Sequence, residues 1–231
     1  MSAILTRTLA VSAAPLILAA CMGAGRMGMA CFDPLPIATG SHASVVSVHK
    51  MGGGIDVTDA PDGADLSTMG GDIHVGKAGP FAKLKTMGGD ITIDHAGGSV
   101  DASTMGGKIN IGQVGGAIKA STMAGDVTAH LTGTSSARRD ISLSSMSGAI
   151  LLTVPKDYPM DVQIKLAYTK NSDGKYRVIQ HLGLTERQTT EWDSHGGGTP
   201  RKYIYVTGRV GNGQNTVKIE TINGDIILKQ E

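Results

Sequence analysis

Methionine recurs at Met51, Met69, Met87, Met105 and Met123, each 18 residues after the last, and again at Met146. A thioether is soft and polarizable, so such a column is either a ligand set for a soft ion like Cu(I) or a flexible apolar contact stripe. Ile222 takes the same place in a later copy of the surrounding motif and cannot ligate, and neither histidine nor cysteine accompanies the column. The expectation is therefore a contact stripe, with no metal assigned. Aspartate recurs close by, at Asp72, Asp90, Asp126 and Asp225. Calcium-binding β-rolls use a nine-residue Gly-Gly-x-Gly-x-Asp unit. Here the period is twice that, the second Gly-x-Asp is missing and Lys108 interrupts the series. These aspartates are expected to be solvated and to bond their own turn backbones.

The run Glu191-Trp192-Asp193-Ser194-His195 gathers an acid, a hydroxyl and an imidazole. Members of a triad meet through the fold, however, and not through adjacency in sequence. Gly196, Gly197 and Gly198 follow at once, which reads as a loop without the rigidity that catalysis requires. His74, His95 and His130 fall at scattered register and are expected to be solvated or ordinary packing residues. No Lys-Ser/Thr pair follows any glycine pair, so glycine abundance does not signal nucleotide binding. The chain reads as a non-enzyme with no catalytic residue and no cofactor.

Near the start, Arg7 precedes an apolar stretch from Thr8 to Leu18 that is too short to span a bilayer comfortably. It ends in Leu18-Ala19-Ala20-Cys21, which resembles a bacterial lipobox. That resemblance implies cleavage before Cys21, a diacylglyceryl thioether on its sulfur and acylation of the new amine. Several acyl chains hold a protein at a membrane far more firmly than one. Met22, where an aspartate would signal inner-membrane retention, favours the outer membrane. Cys31 is then the only free thiol, so no disulfide framework is available. Residues 21–44, with Gly23, Gly25, Gly28, Pro34, Pro36 and Gly40, read as a flexible tether after a signal peptide at 1–20.

What positions the methionines is a repeat. Thr68-Met69-Gly70-Gly71-Asp72-Ile73, Thr86-Met87-Gly88-Gly89-Asp90-Ile91, Thr104-Met105-Gly106-Gly107-Lys108-Ile109 and Thr122-Met123-Ala124-Gly125-Asp126-Val127 are successive copies. Looser ones follow at Ser145–Ile150, after a five-residue insertion, and at Thr221–Ile226. The second glycine recurs at Gly53, Gly71, Gly89, Gly107, Gly125, Gly148 and Gly224, whereas the first position accepts Ala124, Ser147 and Asn223. The second position is thus predicted to need φ > 0 at a corner. Alternation flanks the corner, as in Ala82, Leu84, Thr86, Ile91 and Ile93 pointing inward while Lys83 points outward. That period-2 pattern is a strand pattern.

One repeat cannot bury enough surface to offset the entropy of ordering it, so repeats must stack. The predicted fold is all-β: a β-solenoid (β-helix) with about 18 residues per coil and seven or so coils over residues 45–231. An irregular insertion at 168–202 is read as a looped excursion over the end of the stack. Met160–Leu166 alternates as one more strand, and strands near Tyr203–Thr207, Thr216–Thr221 and Ile226–Leu228 are predicted to close the stack. The six-residue subperiod of acyltransferase hexapeptide helices is absent.

The repeated Thr-x-x-Gly-Asp-Ile corner, the Thr153-Val154-Pro155 after a late strand and the closing Thr221-Ile222-Asn223-Gly224-Asp225-Ile226 resemble a bacterial adhesin-type β-strand-repeat family, a domain of unknown function. The match covers roughly residues 45–231. It implies a β-solenoid, an envelope setting and no established enzyme activity; the regular methionine departs from that family's pattern.

Composition agrees with such a body. The chain has 33 glycines, about twice the usual share, and only eight aromatics, six of them between Tyr158 and Tyr205. With 21 basic and 20 acidic residues, and Arg7 lost with the signal, charge balances, so the basic stripe of a nucleic-acid binder is missing. The expected function is a non-catalytic envelope lipoprotein presenting a solenoid face to an envelope protein, a glycan or another copy of itself. A regulatory, envelope-stress lipoprotein acting through one protein partner is the alternative. A polysaccharide-acting β-helix enzyme is disfavoured because the outward charges alternate in sign.

Overall fold

The computed structural model describes residues 44–133, 138–172, 174–193 and 199–231, and Ser41–Glu231 form one compact unit. The protein is all-β, with no α-helix among the described residues. The strands are β1 (Val46–Lys50), β2 (Ile55–Ala60), β3 (Ala64–Thr68), β4 (Ile73–Ala78), β5 (Phe81–Lys85) and β6 (Ile91–Ala96). Next come β7 (Ser99–Ser103), β8 (Ile109–Val114), β9 (Ile118–Thr122), β10 (Val127–Leu131), β11 (Ile141–Ser145) and β12 (Ile150–Val154). The last six are β13 (Met160–Thr169), β14 (Val178–Gln180), β15 (Thr185–Gln188), β16 (Arg201–Val210), β17 (Asn215–Ile222) and β18 (Ile226–Gln230).

Each repeat sends one strand to each of two long sheets. One sheet runs β1-β3-β5-β7-β9-β11-β17-β13-β16-β15, the other β14-β18-β12-β10-β8-β6-β4-β2. Pairing between repeats is parallel and in register: Ala64 lies opposite Ala82, Ala82 opposite Val100, Val100 opposite Ile118. The five extra residues fall between β10 and β11, so Ile118 meets Ile141 without loss of register. The residues predicted to point inward are buried and form one apolar cluster running through all the repeats. Outward, in-register stacking would set like charges side by side, which is unfavourable. Alternating sign avoids this: Lys83 pairs with Asp65 at 3.9 Å and Lys119 with Asp101 at 3.6 Å.

The order at the C-terminal end departs from the expectation that the last strands close the stack. β17 lies between β11 and β13, and β18 between β12 and β14, so the last repeat in sequence is inserted inside both sheets. The corner motif gives the reason. Thr221-Ile222-Asn223-Gly224 has the residues that stack on the preceding corner, and Thr221 donates from Oγ1 to the Gly148 carbonyl at 2.9 Å. β13 runs for ten residues without such a corner, so it takes the next place out. There it pairs parallel with β17 and antiparallel with β16, and β15 adds the edge. The excursion at 168–202 holds a 3-10 turn at Lys170–Ser172 and the two short strands β14 and β15.

A polar cluster fastens the inserted repeat. Asn215 accepts the Arg139 backbone N–H on Oδ1 at 2.7 Å and donates from Nδ2 to the Pro159 carbonyl at 2.8 Å. The buried Arg139 guanidinium donates to the carbonyls of Thr132 and Gly133, both at 3.0 Å, and lies 5.2 Å from the centre of the Tyr158 ring. Tyr158 donates its hydroxyl to the Arg139 carbonyl, and burial pushes its phenol up to about 12.

Candidate functional site

The methionine column lies on the outside of the corner. Met69, Met87, Met105, Met123 and Met146 are 44–50% exposed and Met51 84%, whereas the strand-borne Met160 is fully buried. Backbone bonds carry the register across the corner, so the column is a straight line of equivalent positions. Gly53 N–H donates to Gly70 O at 3.2 Å, Gly125 N–H to Ser147 O at 3.0 Å and Met146 N–H to Thr122 O at 3.2 Å.

The corner's other residues explain that line. Thr104, at the inward end of its strand, accepts the Gly107 N–H on Oγ1 at 3.3 Å and donates to the Gly89 carbonyl one repeat earlier at 2.9 Å. Thr86 does the same with Gly89 N–H and Gly71 O. A three-residue reach inside the turn plus a bond to the previous repeat fixes the Thr-x-x-Gly spacing. Ser145 can replace threonine because only the hydroxyl is needed, and it reaches Gly125 O at 3.0 Å.

The glycine's role differs from the predicted one. Of the seven recurring glycines, only Gly53 (φ 81°) and Gly125 (φ 156°) carry a φ between +20° and +160°. The rest are required by close stacking: a Cβ on Gly89 would lie 2.1 Å from Gly71 O, on Gly107 2.0 Å from Gly89 O, and on Gly224 1.9 Å from Gly148 O. Gly71 and Gly148 are crowded in the same way, whereas the first position, at Gly70, has nothing within 4 Å.

The aspartates also bond differently from the expectation. Each reaches the next repeat instead of its own turn: Asp72 Oδ1 accepts Asp90 N–H at 2.8 Å, Asp90 accepts Lys108 N–H at 2.7 Å, and Asp126 accepts Ala149 N–H at 3.0 Å. The in-register stack brings the following repeat's backbone N–H within hydrogen-bonding reach of each side chain. Asp225 ends the series by accepting Arg177 N–H at 2.9 Å.

The histidines fall in two columns: His95 and His130 share one with Lys77 and Gln113, and His130 lies 3.2 Å from Glu231, whereas His74 stands in another, with Asp56 and Thr92. His74 is paired, not simply solvated: Nδ1 is 3.3 Å from Asp56 and Nε2 3.3 Å from Asp94. The Asp56 hydrogen bond, with help from Asp94, raises its pKa above the ordinary histidine value despite an opposing desolvation effect.

A second surface, not singled out in the sequence, occupies the added strands. Tyr203 and Tyr205 stack at 5.9 Å on the outer face of β16, Lys165 Nζ lies 5.0 Å from the Tyr203 ring, and Arg187 sits opposite Tyr205. Trp192 packs edge-on to Tyr168 at 6.0 Å, with Lys202 Nζ 4.8 Å from its ring. A cleft of about 270 Å³ lined by Met146, Ile222, Ala167 and Tyr203 joins the end of the methionine line to this face. The aromatic clustering near the C-terminal end was its only signal in the sequence.

Within the Glu191–His195 run, Asp193 exchanges backbone hydrogen bonds with Arg201, at 2.8 and 3.0 Å. Ser194, His195 and Gly196–Gly198 lie outside the described residues, as do Cys21, Cys31, the signal segment and the tether up to residue 43. Among the described residues no helix is long and apolar enough to cross a membrane. Comparison with protein-family models, with curated proteins and with solved structures returned no match.

Proposed function

We propose that this chain is a non-catalytic lipoprotein of the bacterial cell envelope, anchored through Cys21, whose body is a β-solenoid displaying a binding face. The parallel pairing of β1–β12 with β17 and β18, one strand of each repeat in either sheet, supports a solenoid of seven or so coils. One observation carries the binding reading: six methionine side chains stand exposed in a register-locked line that continues into the Tyr203 cleft. A contiguous exposed apolar line of this kind marks an interaction surface, while scattered apolar residues do not. The lipobox-like Leu18-Ala19-Ala20-Cys21 and the adhesin-type corner repeat support the envelope setting, and Met22 supports the outer membrane.

Two substitutions test the reading. Cys21→Ala should move the protein from the membrane fraction to the soluble fraction; a variant that remains membrane-bound, together with unacylated wild type, excludes the anchor. Met87→Glu combined with Met105→Glu should leave the far-ultraviolet circular dichroism unchanged and abolish retention of envelope material by the immobilised protein. Equal retention by both proteins excludes the stripe as the binding element.

A further inference from the structure

We propose that the methionine line is a binding site for soft monovalent cations of the Cu(I) and Ag(I) class, each ion held between the thioethers of adjacent repeats. This deepens the reading of the line as the binding element and rests on it.

Constancy within the chain is the first support. The inward column at the other end of the strands that lead into the corner drifts from Ala64 and Ala82 to Val100, Ile118 and Ile141, because a core accepts any apolar residue of suitable volume. Two columns hardly drift, and each has a specific reason. The glycine column is held by backbone clash, and the threonine column by its hydrogen bond to the previous carbonyl. The methionine column is uniform over six successive repeats, yet its side chains are 44% or more exposed, so core packing gives it no comparable reason. Leucine or valine would keep such a stripe apolar; methionine adds a flexible thioether, and thioether sulfur selects soft ions over calcium, magnesium or manganese.

Geometry is the second. Neighbouring strands lie about 4.8 Å apart. With a metal–sulfur bond of roughly 2.3 Å, a linear S–metal–S unit spans about 4.6 Å. Equivalent thioethers on adjacent repeats therefore start near the separation that two-coordinate Cu(I) or Ag(I) requires, without backbone movement. The approach is open: after four of the six methionines the first corner residue is glycine, at Gly52, Gly70, Gly88 and Gly106, where a Cβ would meet nothing closer than 3.6 Å, and after the other two it is the small Ala124 or Ser147. The preceding threonines turn inward, and the nearby Asp72, Asp90 and Asp126 use Oδ1 on backbone N–H groups. Among the described residues no group of three or more His, Cys, Asp or Glu offers a harder ion a better place.

Six thioethers pair off into three sites: Met51 with Met69, Met87 with Met105, and Met123 with Met146. A fourth ion would have to share a sulfur one repeat away from another unit charge. The test is a silver nitrate titration in chloride-free buffer, counted by native mass spectrometry, on the wild-type chain and on a variant with all six methionines changed to leucine. Cys21, Cys31 and the remaining methionines are present in both proteins, so the difference counts the line alone. The expected difference is three ions, falling to one for Met87→Leu/Met105→Leu, a variant mild enough to guard against misfolding of the larger one. No difference in either comparison overturns the proposal. Leucine keeps the stripe apolar, so retention of envelope material that survives leucine but is lost with glutamate leaves the apolar-contact reading standing even where equal silver counts overturn the ion site.

Discussion

Thr104 donates its hydroxyl to the carbonyl of Gly89, 2.9 Å away and one repeat earlier, while accepting the N–H of Gly107 in its own corner. A single buried hydroxyl thus ties a turn to itself and to its neighbour. Thr104→Val keeps the shape and leaves a carbonyl and an N–H short of a partner. The expected cost is about 1–3 kcal/mol in a urea unfolding experiment, because a buried polar group left unpaired loses its full desolvation penalty. Thr104→Ser retains both bonds and should cost less than half as much. Equal midpoints for valine and wild type would remove the hydroxyl from the stabilising set.

The recurring glycine separates two causes that select the same residue. A Cβ on Gly89 meets Gly71 O at 2.1 Å, one on Gly53 meets nothing within 4 Å but sits at φ 81°, and one on Gly88 has no contact under 3.9 Å. Gly89→Ala should destabilise by about 2–3 kcal/mol through overpacking against backbone that cannot yield. Gly53→Ala should cost about 1–2 kcal/mol from its left-handed backbone, and Gly88→Ala within about 0.5 kcal/mol of nothing. Thermal or denaturant melts of the three variants rank them. If Gly53→Ala proves the worst, conformation and not stacking governs the corner.

Much of this architecture is written in the chain because a strand repeat restates itself in every copy. The 18-residue period, the inward alternation and the corner could be read directly, since Ala82, Leu84 and Thr86 show in one copy what Val100, Ala102 and Thr104 show in the next. The causes of the glycine and aspartate columns were not readable, because a turn-bound aspartate and one bonded along the stack leave the same letters in sequence. His74 was missed because its partner Asp56 lies a full repeat earlier, a relation visible only once residues are compared at an offset of 18. The place of β17 was hidden because its neighbours β11 and β13 are far away in sequence. The hint was that Thr221–Ile226 has a corner while Met160–Thr169 lacks one.

His74 gives the fold a pH dependence. Asp56, then Asp94, favour its protonated form, so its folded pKa is raised above the ordinary 6.5. A raised pKa means the folded state holds the proton more tightly than the unfolded one. The stabilisation is complete below pH 6.5 and fades as pH rises through the higher folded value. The wild-type melting temperature should therefore fall more from pH 5.5 to 8.5 than that of His74→Gln. The side chain is 44% exposed, so the effect should be small and should shrink in high salt. Parallel pH profiles for the two proteins would exclude the pairing.

The interleaved order makes a sharper prediction about deletion. Residues 215–231 supply β17 and β18, whose inward Val217, Ile219, Ile226 and Leu228 are all buried in the shared core. Removing them takes a strand from the interior of each sheet, stripping β11 and β12 of a neighbour on one side and leaving β14 without a partner strand. Removing residues 44–60 instead takes only the terminal strands β1 and β2, and a repeat array loses an end unit by shortening. The C-terminal deletion should therefore abolish the cooperative melt of the body and open the 138–210 region to protease, while the N-terminal deletion should lower the melting temperature but keep the transition cooperative. If both deletions behave alike, or if the C-terminal one melts like the intact protein, then β17 and β18 do not lie within the sheets and the strand order is wrong.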